Sequence, residues 1–220
     1  VSVAEALDQC EKESDRICLL DMGDNVGGGS AADGTELLSE IHARGLGPSL
    51  GCLFDPESVS LCDQAGVGSK VHIRAGGKTD QRHGSPMEMD VTVVTLTDGK
   101  FSESEPRHGG ISQFDQGRTA VVRSERGLTL MLTSRRMVPF SLQQLYANGV
   151  DPQSFRILVA KGVNAPLAAY REQCDRFIRV NTMGSTCADI RQLEYHHRRR
   201  PLFPLELNAS YPEEIGSDRI

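Results

Sequence analysis

The sequence predicts an α/β fold with a mixed sheet: βαβ units in the first third, a central β-meander, and further helices packed on the sheet. Two patterns indicate this fold. Over residues 3–75, short apolar segments alternate with amphipathic segments, which is typical of strands joined by helices. Over residues 88–133, segments rich in Val and Thr are separated by turns, which is typical of antiparallel hairpins.

The chain opens with a predicted helix, strand, glycine-rich loop and second helix. The first helix is amphipathic and covers residues 3–13, and a compact apolar strand follows at Ile17–Leu20. Asp33, with Glu36 three residues later, forms a capping-box pattern that predicts the start of the second helix, and Gly45 is suited to end it. These segments predict the first βα unit.

A second unit follows directly. It has a predicted strand over residues 50–54, and then Asp55-Pro56-Glu57, which supplies a helix cap, a proline in the first turn and a carboxylate. Gly66 ends this helix, and residues 70–75 alternate as a third strand. Because strands joined by helices usually run parallel, we expect all three strands to pair in parallel.

The remainder of the chain completes the sheet. Predicted strands are 88–96, 119–123, 128–133, 155–160 and 177–180, and predicted helices are 141–148 and 166–174. From about residue 202 the chain is polar and punctuated by prolines. We therefore assign residues 1–205 to one α/β domain and residues 206–220 to a polar C-terminal tail.

Composition excludes several classes of protein. The 220 residues include 24 Lys and Arg against 30 Asp and Glu, a net charge of −6 that argues against a nucleic-acid binder. Apolar runs are too short for a membrane helix, and no secretory signal opens the chain. The six cysteines contain no Cys-x-x-Cys pair, which favours free thiols and a cytoplasmic location.

The loop over residues 21–35 is the most informative segment. It carries Asp24 and Asn25 followed by the consecutive Gly27, Gly28 and Gly29. Such glycines cost backbone entropy, and they make sense where the backbone approaches a ligand closely; a tight strand-to-helix turn is the structural alternative. Their spacing matches neither a dinucleotide fingerprint nor a phosphate-binding P-loop. We expect an anion or carboxylate near the helix that follows.

A second glycine loop covers residues 76–84 and again follows a predicted strand. It carries Lys78, Arg82 and His83. If its strand neighbours the first strand, the two glycine loops face each other, and Lys78 or Arg82 holds a substrate carboxylate. A solvated basic loop is the alternative.

The sequence predicts no metal site in this chain. The six histidines have no zincin-type spacing. Asp21, Asp24 and Asp33 are close enough in sequence to gather around a hard cation, but the pattern is not an EF-hand loop. If zinc were bound in the chain, it would use an unrecognised site among His83, His108 and the aspartates.

Several segments, taken in order, resemble the C-terminal domain of the microcystinase C family of metallopeptidase-like proteins. The resemblance extends over most of residues 3–205 and departs from the family pattern at Val26, where proline is usual, and at Ala32, where glycine is common. The matching segments are Asp24-Asn25-x-Gly27-Gly28-Gly29, Asp33-Gly34-Thr35, Asp55-Pro56-Glu57, 65–68, 76–78, 98–101, 117–121, 132–135, 149–152, Lys161 and Arg200-Pro201.

The resemblance implies one half of a hydrolase that cleaves amide bonds of small or cyclic peptides. Zinc would be bound by an N-terminal domain that this chain lacks, and the isolated domain would be inactive. In this picture Asp24 orients water or a metal ligand, or takes up a proton, and Asn25 hydrogen-bonds the substrate. The amides of Gly27 to Gly29, together with Lys78, bind a carboxylate or oxyanion. The absence of a methionine at Val1 fits the second half of a longer enzyme.

Two other functions remain open on the sequence. One is a non-catalytic scaffold that stabilises a catalytic partner, and the other is a stand-alone carboxylate-binding domain. The expected partners are the N-terminal domain and a small peptide or other carboxylate-bearing substrate. Neither a nucleic acid nor a membrane is expected as a partner, and the sequence leaves open whether the protein forms a homo-oligomer.

Overall fold

A computed structural model describes residues 1–105 and 110–210. They fall into two compact units, Val1–Cys187 and a second that begins at Ala188. The helices are α1 (Val3–Lys12), α2 (Glu36–Arg44), α3 (Pro56–Ala65), α4 (Gln143–Tyr146) and α5 (Ala165–Tyr170). The strands are β1 (Ile17–Asp21), β2 (Ser49–Phe54), β3 (Lys70–Ala75), β4 (Met87–Thr97), β5 (Lys100–Ser102), β6 (Gln113–Asp115), β7 (Thr119–Ser124), β8 (Leu128–Thr133), β9 (Ile157–Ala160) and β10 (Arg176–Val180). No helix in these residues is long and apolar enough to cross a membrane.

Eight strands form one mixed sheet in the order β10-β1-β9-β2-β8-β7-β4-β3, and β5 and β6 form a separate hairpin pair. The five strands from β10 to β8 pair in parallel. The pairs β8–β7, β7–β4 and β4–β3 are antiparallel. The mixed sheet with a central β-meander is therefore confirmed. The β5–β6 pair was not predicted.

The apolar core lies on both faces of this sheet. Side chains alternate along a strand, so β1 directs Ile17 and Leu19 into one buried cluster and Cys18 and Leu20 into the other. The first cluster packs against α1, α2 and α3, and the second against α4 and α5. A parallel strand covered on both faces needs an unbroken apolar run, which explains the sequence Ile-Cys-Leu-Leu of β1.

The third predicted strand does not pair as expected. We predicted parallel pairing, but among the described strands β3 pairs only with β4, in antiparallel register, at the far edge of the sheet from β1. The physical reason is visible in its composition: Lys70, His72 and Arg74 are wholly or partly open to solvent, whereas Ile73 and Ala75 are buried. One solvated face is typical of an antiparallel strand, whereas parallel strands are covered on both faces.

Some helix boundaries were predicted correctly and others were not. The cap of α3 is confirmed, because Asp55 Oδ1 accepts a hydrogen bond from the Ser58 amide at 3.0 Å. The prediction that Asp33 caps α2 is wrong: the cap residue is Thr35. The Asp33 carboxylate instead accepts hydrogen bonds from the amides of Lys78 and Thr79. The helices α4 and α5 are shorter than predicted.

Candidate functional site

Four loops meet at the carboxyl ends of the parallel strands β1, β2 and β9. They comprise residues 22–35, 76–86, 161–164 and 181–187 of the first unit. Hydrogen bonds join them directly: the Val26 amide donates to Lys161 O, and the Thr35 amide donates to His83 O. Open α/β sheets bind ligands at the carboxyl ends of their parallel strands, so this is the candidate site.

Asp24 is the centre of the first glycine loop and is 1 % exposed. Its Oδ1 accepts hydrogen bonds from the Ala32 amide and the Ser30 hydroxyl, each at 2.7 Å. Its Oδ2 accepts one from the Gly34 amide at 2.7 Å and lies 2.8 Å from Lys161 Nζ. Burial acts to raise the pKa of Asp24, but the Lys161 charge and these hydrogen bonds outweigh it and hold the pKa at about 2. Asp24 is therefore a fixed anion inside the loop.

Lys161 is the cation that Asp24 faces. It follows β9, is 3 % exposed, and its Nζ lies 3.1 Å from Asp21 Oδ2 and 2.6 Å from Gly34 O. Burial lowers the pKa of this ammonium, but the charges of Asp21 and Asp24 prevail and raise it. With Asp24, these contacts use all three ammonium protons. Asp21 and Asp24, considered above with Asp33 as ligands of a hard cation, here pair with the Lys161 ammonium, whereas Asp33 does not.

His83 connects the second glycine loop to the first. Its ring is buried, with Nδ1 2.8 Å from Asp80 Oδ1 and Nε2 2.9 Å from Ser30 Oγ. The Ser185 amide donates to the same Nε2 at 3.1 Å, which makes that nitrogen an acceptor. The two glycine loops therefore meet, although the condition on which we expected this is not met, because β3 and β1 are not neighbours in the sheet.

The three consecutive glycines form an exposed 3-10 turn over Val26–Gly28, with Gly29 in the left-handed region. The Gly28 amide donates to Asn25 O and the Gly29 amide to Val26 O, at 2.9 and 3.0 Å. The Gly27 amide and the half-buried Asn25 carboxamide have no hydrogen-bond partner among the described residues. Of the predicted ligand-binding groups in this turn, these two remain available.

Lys78 belongs to the second glycine loop and lies next to Asp33. Its Nζ is 2.9 Å from Asp55 Oδ1 and 2.8 Å from Glu57 Oε2, and its backbone amide donates to Asp33 Oδ2. The Asp55 side chain is fully buried, so the pair also fixes the start of α3. In the part of the chain that the structure describes, Lys78 makes no contact with Asn25 or Gly27 and is held by two carboxylates instead.

Ala32 occupies a backbone conformation that favours glycine. Its φ is 67°, and it has the only positive φ of a non-glycine residue within the described ranges. This backbone direction lets the Ala32 amide reach Asp24 Oδ1. A side chain at such a φ is strained, whereas glycine is not.

Donor geometry does not fit zinc in the part of the chain described. No three His, Cys, Asp or Glu side chains within residues 1–105 and 110–210 are arranged to hold a metal ion. His108, named above as a zinc candidate, lies outside these residues. Within the loop network the place between Asp21 and Asp24 is taken by Lys161.

An apolar cavity opens beside the loop network. Its walls include Val26, Phe54, Met137 and Val159, and the side chains of Lys161 and Gln144 also line it. Lys161 was indicated only as part of the family pattern, and no role was predicted for Ser30, Ser185 or Arg136. The signal for Lys161 is its position directly after a buried parallel strand, where functional side chains of such sheets concentrate.

The mixed sheet, with its loop network at the strand ends, defines the class of this domain as mixed α/β. A crystal structure from Mesorhizobium sp. BNC1, described as a candidate metallopeptidase, superposes with a TM-score of 0.82 at 25% sequence identity, covering 96% of this chain and 42% of that one. The chain belongs to the MlrC C-terminus family, whose model matches residues 19–197.

A curated relative supports the same assignment. Microcystinase C from Sphingomonas sp is 27% identical over 194 residues, which are 86% of this chain and 36% of the relative. The resemblance stated from the sequence motifs is therefore confirmed. The chain spans less than half the length of these two similar proteins.

Proposed function

We propose that this chain is the C-terminal domain of a metal-dependent hydrolase that cleaves amide bonds of small or cyclic peptides. Family membership and the names of the two similar proteins support this proposal. The metal, zinc in our proposal, is held by an N-terminal domain of the longer protein, where metal-activated water is the usual means of amide cleavage.

The contribution of this chain is a rigid wall that hydrogen-bonds the substrate. Asn25 offers a carboxamide and Gly27 an amide, and both are free of partners among the described residues while their neighbours are fully engaged. Preorganised donors of this kind bind a substrate carbonyl or carboxylate without reorganising. The proposal rests on this observation: the Asn25 carboxamide and the Gly27 amide lack hydrogen-bond partners among the described residues, whereas the neighbouring polar groups of the loop have them.

Asp24 has a positioning role in this proposal. Both of its oxygens already accept two bonds or contacts, and its lowered pKa disfavours uptake of a proton. Water orientation by Asp24, predicted above, would require one of these partners to leave. The carboxylate instead sets the course of residues 30–34 and, through them, the position of Asn25.

A non-catalytic scaffold or carboxylate-binding domain is the second candidate. The observation in its favour is that charged groups of the loops are neutralised internally: Lys161 by two aspartates, and Lys78 by Asp55 and Glu57. On this alternative the domain stabilises a catalytic partner, and Asn25 has no effect on turnover.

The test compares Asn25→Ala with the matched control Asn208→Ala in the longer protein that joins this chain to its metal-binding domain. We expect Asn25→Ala to lower kcat/KM for a small peptide by about tenfold to a hundredfold, the loss typical of one preorganised donor. Asn208 is exposed in the second unit, and its replacement is expected to leave kcat/KM unchanged.

Three outcomes would each contradict a different part of the proposal. Absence of amide hydrolysis by the longer protein would exclude the hydrolase. Hydrolysis with unchanged kcat/KM in Asn25→Ala would favour the scaffold. Stoichiometric zinc bound by this chain alone, measured by equilibrium dialysis, would place the metal here and contradict the proposed division between domains.

A further inference from the structure

His83 joins an exposed serine to a carboxylate at the edge of the loop network. Its Nδ1 lies 2.8 Å from Asp80 Oδ1, and the hydroxyl oxygen of Ser185 lies 3.3 Å from its Nε2. Because Nε2 accepts from the Ser185 amide, the neutral ring carries its proton on Nδ1 and donates it to Asp80. Burial acts to raise the pKa of Asp80, but its hydrogen bonds with His83 and with the Arg82 amide outweigh burial and lower the pKa. Asp80 is therefore an anion at neutral pH.

This order of groups is the one that activates a serine hydroxyl. A neutral imidazole with its lone pair on Nε2 can take the proton of a hydroxyl there. A carboxylate at Nδ1 holds the ring in that tautomer and stabilises the imidazolium that forms. The 3.3 Å between Ser185 Oγ and His83 Nε2 is longer than the distance in a reacting complex, as is usual for a nucleophile and its base before a substrate binds.

Two serines lie near His83 Nε2, but only Ser185 is accessible. Ser30 Oγ is nearer, at 2.9 Å, yet Ser30 is 2 % exposed and donates its hydroxyl proton to Asp24 Oδ1. Ser185 is exposed, and its hydroxyl donates to Ser30 Oγ at 3.1 Å. Rotation of this hydroxyl redirects its proton to Nε2. Ser185 is therefore the hydroxyl that both a substrate and the base can reach.

The turn that carries Ser185 is held in place on both sides. A Cβ at Gly184 would lie 2.2 Å from Gly23 O, so a glycine is needed for this close approach. The Thr186 amide donates to Gly23 O at 3.1 Å, and the Thr186 hydroxyl accepts the Asn25 amide at 2.9 Å. Ser185 therefore has a defined position, next to the loop that carries Asn25.

We propose that Ser185 is a nucleophile with His83 as its general base, and that this chain hydrolyses small carboxylic esters through an acyl group on Ser185 Oγ. In the first half of the reaction, Oγ bonds to the acyl carbon and its proton passes to His83 Nε2. The ester C–O bond then breaks, and the leaving oxygen keeps the electron pair and takes that proton. In the second half, a water oxygen bonds to the acyl carbon and gives a proton to Nε2, and Ser185 Oγ leaves and regains it. The sum converts ester and water into acid and alcohol.

The Ser185 amide has a second role in this reaction. Its N–H occupies Nε2 of His83 in this structure, so the Ser185 hydroxyl must replace it before attack. The released N–H then donates to the oxyanion of the tetrahedral intermediate, as the amide of a nucleophilic serine can do. The reaction uses residues of this chain alone and is separate from the metal-dependent amide cleavage proposed above.

The experiment adds p-nitrophenyl acetate to the chain. It follows release of p-nitrophenolate and, after quenching in acid, acetylation of the protein by mass spectrometry. We expect one acetyl group per chain, located on Ser185, and an initial burst of p-nitrophenolate. Ser185→Ala should abolish both. The matched control is Ser14→Ala, at an exposed serine without a histidine partner among the described residues, and it should leave both unchanged.

A pair of histidines tests the role of His83. His72 also contacts a carboxylate, with Nδ1 2.9 Å from Asp90 Oδ1, but in the described part of the chain no serine hydroxyl is bonded to it. We expect His83→Gln to lower the acetylation rate about hundredfold, the contribution of a general base, and His72→Gln to leave it unchanged. Urea titration of both variants checks that they are folded, because His83 is buried.

Asp80→Asn decides the question if His83→Gln does not fold. Asp80 is a positioning residue, and its side chain is 39% exposed. Asparagine keeps an oxygen for the backbone amides but removes the charge that holds the His83 tautomer. We expect acetylation to slow at least about tenfold, and nitrogen NMR signals of the His83 ring to show loss of the Nδ1–H form. Asp90→Asn is the matched control and should change neither.

Four results would overturn the inference. They are no acetylation of Ser185 in the unaltered chain, an unchanged burst in Ser185→Ala, equal acetylation rates in folded His83→Gln and His72→Gln, and equal rates in Asp80→Asn and Asp90→Asn. All four are measured without an N-terminal domain and without a peptide substrate, so failure here is distinct from failure of the proposed function.

Discussion

The ammonium of Lys161 lies 2.8 Å from Oδ2 of Asp24, and both side chains are buried. This contact joins the end of β9 to the glycine loop that follows β1. Because Asp24 also accepts the amides of Ala32 and Gly34, the ion pair determines the backbone course of the loop that carries Asn25 and Gly27. The ion pair therefore positions the exposed polar groups of the site, although it lies beneath them and is itself buried.

Replacing Lys161 with Met should destabilise the chain strongly. The substitution leaves Asp21 and Asp24 buried without their cation, and removing one partner of a buried pair costs about 3–5 kcal/mol. The measurement is the free energy of unfolding from urea titration. Lys70→Met is the matched control, because Lys70 and Glu125 pair in solvent, and we expect it to change stability little. Equal stability of the two variants would refute the role assigned to Lys161.

Stability should fall in acid through Asp24. Its pKa in the folded chain is about 2, below the ordinary value of 3.8, so the unfolded chain binds the proton more readily. The resulting stabilisation, on the order of 2 kcal/mol, is complete above pH 4 and is lost as the pH falls through 2. Urea titrations between pH 5 and pH 2 would measure it. Asp24→Asn should flatten the profile, whereas Asp63→Asn, on the surface, should not.

Two glycines of the loop should respond differently to a methyl group. A Cβ at Gly23 would lie 2.3 Å from Thr182 O and 2.5 Å from Met183 O, so Gly23→Ala must displace the chain after β10 and should cost about 1–3 kcal/mol. A Cβ at Gly27 would meet its nearest atom, Asn25 Oδ1, at 3.5 Å, and Gly27→Ala should be nearly neutral. Thermal unfolding of both variants checks this, and similar losses would contradict it.

Ala32→Gly should stabilise the chain. The positive φ of Ala32 carries a strain of roughly 1–2 kcal/mol for a residue with a Cβ, and glycine removes it at a smaller cost in unfolded-state entropy. A net gain of about 0.5–1 kcal/mol is expected. The neighbouring Ala31→Gly, which has no positive φ to relieve, should be destabilising in the same urea titration. A loss of stability in Ala32→Gly would show that the strain is absent.

Local signals in the sequence were sufficient for the elements that depend on neighbouring residues. The start of α3 was predictable because Asp55, Pro56 and Glu57 act within one helical turn. The β7–β8 hairpin was predictable because its two strands follow one another in the chain and are joined by a short turn. The two glycine loops were recognised because consecutive glycines after a strand cost backbone entropy and so indicate a special backbone course.

Contacts between distant segments were not predictable in the same way. Lys161 reaches Asp24 only because β9 pairs with β1, and no local pattern indicates which strands become neighbours. Asp33 carried a good capping signal, yet its carboxylate binds the Lys78 amide because the Asp24 network draws the preceding loop inward. In both cases tertiary contacts prevailed over a local preference.

The position of β9 between β1 and β2 has a consequence for how the chain acquires its structure during synthesis. Ile157 pairs with both Ile17 and Ser49, so the two earliest strands have no neighbour on their shared side until most of the chain has left the ribosome. Pairings this remote in sequence slow the search for the folded state. Until then the edges of β1 and β2 that face each other are unpaired and can pair with strands of other chains. We therefore expect aggregation and chaperone binding of the nascent chain to be greatest in this interval.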